Sequence, residues 1–133
     1  MTQAILMPVS HVAQAWPLAV PFLSKAEKAG ALQSVAEWMR DCLNGTKQLW
    51  LLWAQDQCHG AGITSLIEAP QGKTCVIDGF AAQTGSAWLP TLEVVEAWAR
   101  SQGCVRVRVY GRVGWTEKLK DYALKGVILD RKL

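Results

Sequence analysis

Residues 48–82 constrain the fold most, because three β-type runs follow one another there with very short links. Gln48–Ala54 is rich in Leu and Trp and reads as a buried strand. Gln55-Asp56-Gln57 supplies a turn. Cys58–Glu68 reads as a second strand, in which Gly60 and Gly62 permit a close backbone approach or a bulge. Ala69-Pro70-Gln71-Gly72 is a strong turn signal. Lys73–Ala82 follows as a third strand, with Cys75, Ile77 and Gly79 alternating against Val76, Asp78 and Phe80. Strands linked this closely pair antiparallel, since a parallel neighbour needs a crossover of roughly a dozen residues or more. The core of the fold is therefore a meander.

The flanks supply helices. Ala4–Pro8 reads as a short apolar strand, and Ser10 as the cap of a helix carrying Val12, Ala15, Trp16 and Ala19, which Pro17 and Pro21 should bend or end early. Ala26–Gly30 follows as helix or loop. In Leu32–Leu43, the residues Leu32, Val35, Ala36, Met39 and Leu43 share one helical face, and Asn44-Gly45 terminates the helix. After the meander, Gln83-Thr84-Gly85-Ser86-Ala87 leads into a helix with Leu89, Leu92, Val95, Ala99 and a Trp88–Trp98 pair on its apolar face. Pro90 is tolerable there because it lies in the first turn. Cys104–Tyr110 alternates as a strand, Gly111–Gly114 opens a short helix to about Tyr122, and Val127–Leu133 reads as a closing strand. The expected class is α+β: an antiparallel meander followed by β-α-β, with helices on both faces, in a single domain over 1–133.

Composition narrows the function. The 133 residues carry 14 Lys+Arg against 11 Asp+Glu, a formal charge of +3 with no block of one sign, too mild for a nucleic-acid binder. Apolar residues are 50% and charged residues 19%, which excludes disorder. Cys42, Cys58, Cys75 and Cys104 show no metal-binding spacing and read as reduced thiols of a cytoplasmic protein, bacterial or in a phage-infected host. No stretch approaches the ~20 apolar residues of a membrane span.

A strand that runs through a small-residue turn into a helix is an anion-binding geometry, because the first helical turn presents unpaired N–H groups and a partial positive charge. Gly85, Ser86 and Ala87 would let a phosphate reach the backbone; a plain connecting loop is the other reading. With this order of elements, the chain resembles the GNAT superfamily of N-acetyltransferases, and in particular its short members encoded by bacteriophages. Carrying the likeness are Leu49-Trp50, Gly60-Ala61, Trp88-Leu89-Pro90, Glu96-Ala97-Trp98-Ala99-Arg100, Gly103-Cys104, Gly111-Arg112-Val113-Gly114-Trp115 and Arg131-Lys132-Leu133.

That resemblance implies acetyl-coenzyme A lying where the third meander strand and the strand after the next helix splay apart. Phe80, Ala81, Ala82, Gln83, Gly85, Ser86, Ala87 and Trp88 would then form the coenzyme site. The family's pyrophosphate motif is Gln/Arg-x-x-Gly-x-Gly/Ala, and this chain's Gln83-Thr84-Gly85-Ser86-Ala87 is one residue shorter. The reaction implied is acetyl transfer to an amine of a small molecule or protein, with a base and an acid in attendance. Asp78 is the candidate base, an acid inside an otherwise apolar strand; an Asp facing solvent or paired with Arg is the plainer reading. Where many family members carry an acidic Tyr, this chain has Leu119 or Lys120, so Tyr110 and Tyr122 stand as substitutes. The alternative function is a GNAT-fold binding or virion-associated protein without transfer activity.

Arg106, Arg108 and Tyr110 share one face of their strand, as an anion-binding wall or as a solvated face. Trp16, Trp38, Trp50 and Trp98 read as core, while Trp88 and Trp115 either line one cleft mouth or pack beneath it.

Overall fold

A computed structural model describes residues 2–83, 88–111 and 115–133, with only the backbone of Thr116. In chain order the elements are β1 (Gln3–Leu6), α1 (Val12–Lys28), α2 (Val35–Leu43), β2 (Gln48–Ala54), β3 (Gln57–Ala69), β4 (Gly72–Ala82), α3 (Leu92–Ser101), β5 (Arg106–Val109) and α4 (Trp115–Lys118). The five strands form one sheet in the order β1-β2-β3-β4-β5. β1 to β4 pair antiparallel, and β5 joins β4 parallel after the α3 crossover. This is the expected meander followed by β-α-β.

The β2–β3 link is a two-residue loop in which Gln55 and Asp56 both take left-handed backbone, φ 54° and 59°. That conformation matches the twist of a tight hairpin. The β3–β4 pairing runs regularly from Ala69↔Gly72 to Thr64↔Ile77 and then resumes at Ile63↔Gly79. Asp78 is the extra residue, a β-bulge. The bulge breaks the simple alternation expected for this strand: Phe80, not Gly79, falls on the face of Cys75 and Ile77.

α1 and α2 cover one face of the sheet. Val12, Trp16, Ala19, Phe22, Leu23, Trp38 and Cys42 pack there on Leu49, Leu51, Ala61 and Ile63. Pro17 and Pro21 do not end α1, which runs unbroken to Lys28. Both rings lie on its exposed side, one turn apart, so the carbonyls they leave without an N–H partner meet water. α2 starts later than its periodicity indicated. Ser34 caps it in a reciprocal box with Glu37, at 3.1 and 3.2 Å. Leu32 therefore precedes the helix and is 96% exposed, and the buried side chains are Trp38 and Cys42.

α3 covers the other face. Its Val95 and Ala99 pack with Trp50, Cys75, Trp98 and Val107. Trp98 meets Trp50 edge to face at 5.4 Å rather than Trp88. A 3-10 turn over Leu89–Thr91 precedes it. Residues 127–133 form no strand: Val127, Ile128 and Leu129 are exposed and find no edge to pair with in the described residues. Among the described residues, no helix is long and apolar enough to cross a membrane.

Candidate active site

The parallel pair β4–β5 is short. It is registered from Thr74↔Arg106 to Ile77↔Val109 and stops there. Among the described residues β4 continues to Ala82 with only β3 beside it, while β5 ends at Val109. Peptide groups alternate between the two sides of a strand, so those of Gly79–Ala82 that turn away from β3 face a gap instead of a partner. The bulge at Asp78 falls at the vertex of that gap, where it re-aims the strand.

Two chemically different environments meet at this vertex. Under α3 lies a pocket whose lining includes Ile77 and Val109, the last β4–β5 pair, together with Leu92, Val95 and Gly62. Phe80, Trp88 and Trp115 close one side of it, with ring centroids 5.0, 5.4 and 6.1 Å apart. Its Trp50, Thr64 and Thr91 donors are already engaged. Thr64 Oγ1 accepts from Trp50 Nε1 at 3.0 Å and donates to Gln48 at 2.9 Å, and Thr91 donates to the Trp88 carbonyl. The pocket therefore offers a largely apolar wall and no free donor on its threonines.

On the α1/α2 face the same vertex carries charge. Asp78 Oδ2 accepts from Lys47 Nζ at 3.0 Å and from Ser65 Oγ at 2.8 Å. Lys47 also donates to Gln33 Oε1, which accepts from Trp38 Nε1 at 3.1 Å. The lysine and aspartate side chains are largely withdrawn from water, at 15% and 18% exposure. Both contacts fall on Oδ2, so Oδ1 keeps its lone pairs. Gly79 belongs to this arrangement: a Cβ there would sit 2.5 Å from the Trp38 ring, so only glycine lets the indole close over the strand.

The sequence-derived candidates are thus only partly brought together. Phe80, Ala81 and Ala82 lie along the gap, and Trp88 joins Phe80 at its α3 side. Gln83 follows them, its N–H donating to the His59 carbonyl and its side chain on the His59 ring, 2.7 Å away; His59 in turn donates from Nε2 to the Ala54 carbonyl. Gly85, Ser86 and Ala87 lie outside the described residues. Asp78 is at the vertex but is paired with Lys47, a partner 31 residues away that the sequence did not indicate. Tyr110 is 55% exposed. Tyr122 donates to Glu96 on α3 at 2.6 Å, and burial and that carboxylate together push its phenol well above the usual range. Of the proposed anion wall, Arg106 donates to Gln71 and Arg108 is exposed on the edge strand. Sequence reasoning missed Lys47, Ser65 and the Ile77–Val109 vertex. The glycine at 79 beside a lone strand acid was the available signal.

The four cysteines are free thiols. Burial pushes Cys42 and Cys75 up to about 12, helped by Asp41 and Cys104 respectively, so neither is a nucleophile at neutral pH. Among the described residues no cluster of His, Cys, Asp or Glu could hold a metal ion.

No family model matches the chain, and no curated protein matches it by sequence. Its fold, in contrast, is shared with solved acetyltransferases. An aminoglycoside acetyltransferase from an uncultured soil metagenomic sample, solved with sisomicin, superposes with TM-score 0.71 at 10% identity, over 99% of this chain and 96% of the other. A ribosomal-protein-alanine N-acetyltransferase from Brucella melitensis biovar Abortus 2308 gives 0.69 at 10% identity, over 100% and 99%. A predicted acetyltransferase from Clostridium acetobutylicum, solved with acetyl-CoA, gives 0.65 at 11%, over 100% and 96%. At such identities the likeness is one of fold, and it is the GNAT fold that the residues resemble.

Proposed function

We propose that the chain is an acyltransferase that takes the acyl group of a coenzyme A thioester, acetyl in the simplest case, to an amine. The observation that carries this is the parting of β4 from β5 after Ile77 and Val109, which leaves a strand edge facing a gap. Coenzyme A fits that feature, because its pantetheine arm bears amides that can pair with the free peptide groups of Gly79–Ala82. Bound there, the thioester supplies an activated carbonyl. Phe80, Ala82, Gln83 and Trp88 are positioned to flank the arm, and Gly85, Ser86 and Ala87 are proposed for its phosphates.

The charged side of the vertex serves the acceptor. An amine arriving from the α1/α2 face meets Asp78, whose Oδ1 takes the proton shed as the C–N bond forms and the thioester C–S bond breaks. Lys47 and Ser65 hold Oδ2 and so fix the carboxylate's orientation. The departing sulfur takes a proton from solvent or from Tyr110, the more exposed of the two phenols. Tyr122 is retained as a positioning residue, because its proton is held by Glu96.

Incubation with acetyl-CoA and a panel of amines, followed by thiol release, tests the reading. Saturable thiol release that Asp78→Asn lowers about 100-fold, with coenzyme affinity kept, is the expected result. Absence of any melting-temperature rise at millimolar acetyl-CoA would favour the alternative, a binding protein on this fold that transfers nothing.

A further inference from the structure

We infer that the acyl group this chain prefers is an aliphatic chain longer than acetyl, housed in the pocket under α3. The inference rests on the acyltransferase reading and specifies its donor. The pocket starts where the strands part: Ile77 and Val109 belong both to the last β4–β5 pair and to the pocket lining. A thioester carbonyl at that vertex has two directions in which to extend. Toward the α1/α2 face stand Asp78, Lys47 and Ser65, which suit an amine. Toward the α3 face stand Leu92, Val95 and Gly62, which suit hydrocarbon.

The pocket's chemistry favours an apolar tenant. Trp50, Thr64 and Thr91 have given their protons to neighbouring groups, so an acceptor group entering there would lose its water and gain no donor from them. A cavity of this kind takes an apolar occupant. On this reading an acetyl methyl stops at the vertex. Gly62 keeps the floor open, since a Cβ there would come within 3.2 Å of the Phe80 ring that walls it. Phe80, Trp88 and Trp115 supply its aromatic wall, and Leu92 and Val95 of α3 its aliphatic one.

The test is titration of the whole chain with coenzyme A, acetyl-CoA, hexanoyl-CoA and decanoyl-CoA, read by calorimetry and by tryptophan emission, because four of the seven tryptophans are the lining or its neighbours. Hexanoyl-CoA should bind about tenfold or more tightly than acetyl-CoA, with an emission change that coenzyme A alone does not give. Val95→Phe should remove that preference and leave acetyl-CoA affinity in place. Val95→Ala, which asks less of the fold, should move the preference toward decanoyl-CoA. Equal affinity for acetyl- and hexanoyl-CoA would overturn the inference and leave the acyltransferase reading standing. Binding of none of the four would overturn that reading, and the inference with it.

Discussion

On the α1/α2 face Trp38, Leu23, Ile63 and Cys42 are wholly withdrawn from water around one continuous core, whereas under α3 the buried cluster is smaller and leaves a pocket beside it. The same sheet supports both. The first face also holds a polar chain, Asp78–Lys47–Gln33–Trp38, anchored by a large, fully buried side chain of that core. The second has aromatic rings and almost no polar group to spare. The difference teaches that one face carries the fold and fixes Asp78, while the other gives up packing to keep a space.

Stability should divide along that line. Trp38→Ala should cost about 3–5 kcal/mol in chemical denaturation, since it opens a large cavity in the closed core and takes from Gln33 the indole N–H it accepts. Val95→Ala, beside an existing pocket, should cost about 1–2 kcal/mol, because fewer neighbours are lost there. Equal losses for the two would erase the contrast. Ser34→Ala should cost about 1 kcal/mol by removing the reciprocal cap of α2, and Ser34→Asp should restore most of it.

The smallest effect is common to both faces. Cys42 under α2 and Cys75 under α3 are held above the usual thiol value by burial, as is Tyr122. Groups of this kind stabilise the fold while they remain protonated in both states. That contribution is present below the unfolded thiol value of about 9 and is lost as pH rises toward 12. Denaturation midpoints should therefore fall above about pH 9, and Cys42→Ala and Cys75→Ala should each flatten the fall. A midpoint that holds steady to pH 11 would contradict the burial of these thiols.

Much of the fold was legible because it is local. The meander at 48–82 is written in short links and β-type runs, and the β-α-β unit in the small-residue loop and the alternation of 105–110. What could not be read depended on distant partners. The bulge at Asp78 exists through the β3–β4 register, and it decides that Gly79 faces Trp38 and Phe80 faces α3. Leu32 fitted the helical period, yet Ser34 and Glu37 set the start of α2 beyond it. Val127–Leu133 has the apolar run of a strand but stands apart from the sheet. The candidate site divides in the same way: Phe80–Gln83 and Trp88 follow from the order of elements, whereas the vertex and its two unlike sides follow from contacts between strands.

Amide hydrogen exchange of β4, with and without a coenzyme A thioester, tests the central claim most directly. The account predicts that amides within Gly79–Ala82 gain protection on binding while those of Thr74–Ile77, already paired with β5, stay as they were. Binding that protects neither stretch would show that the ligand lies elsewhere on the protein.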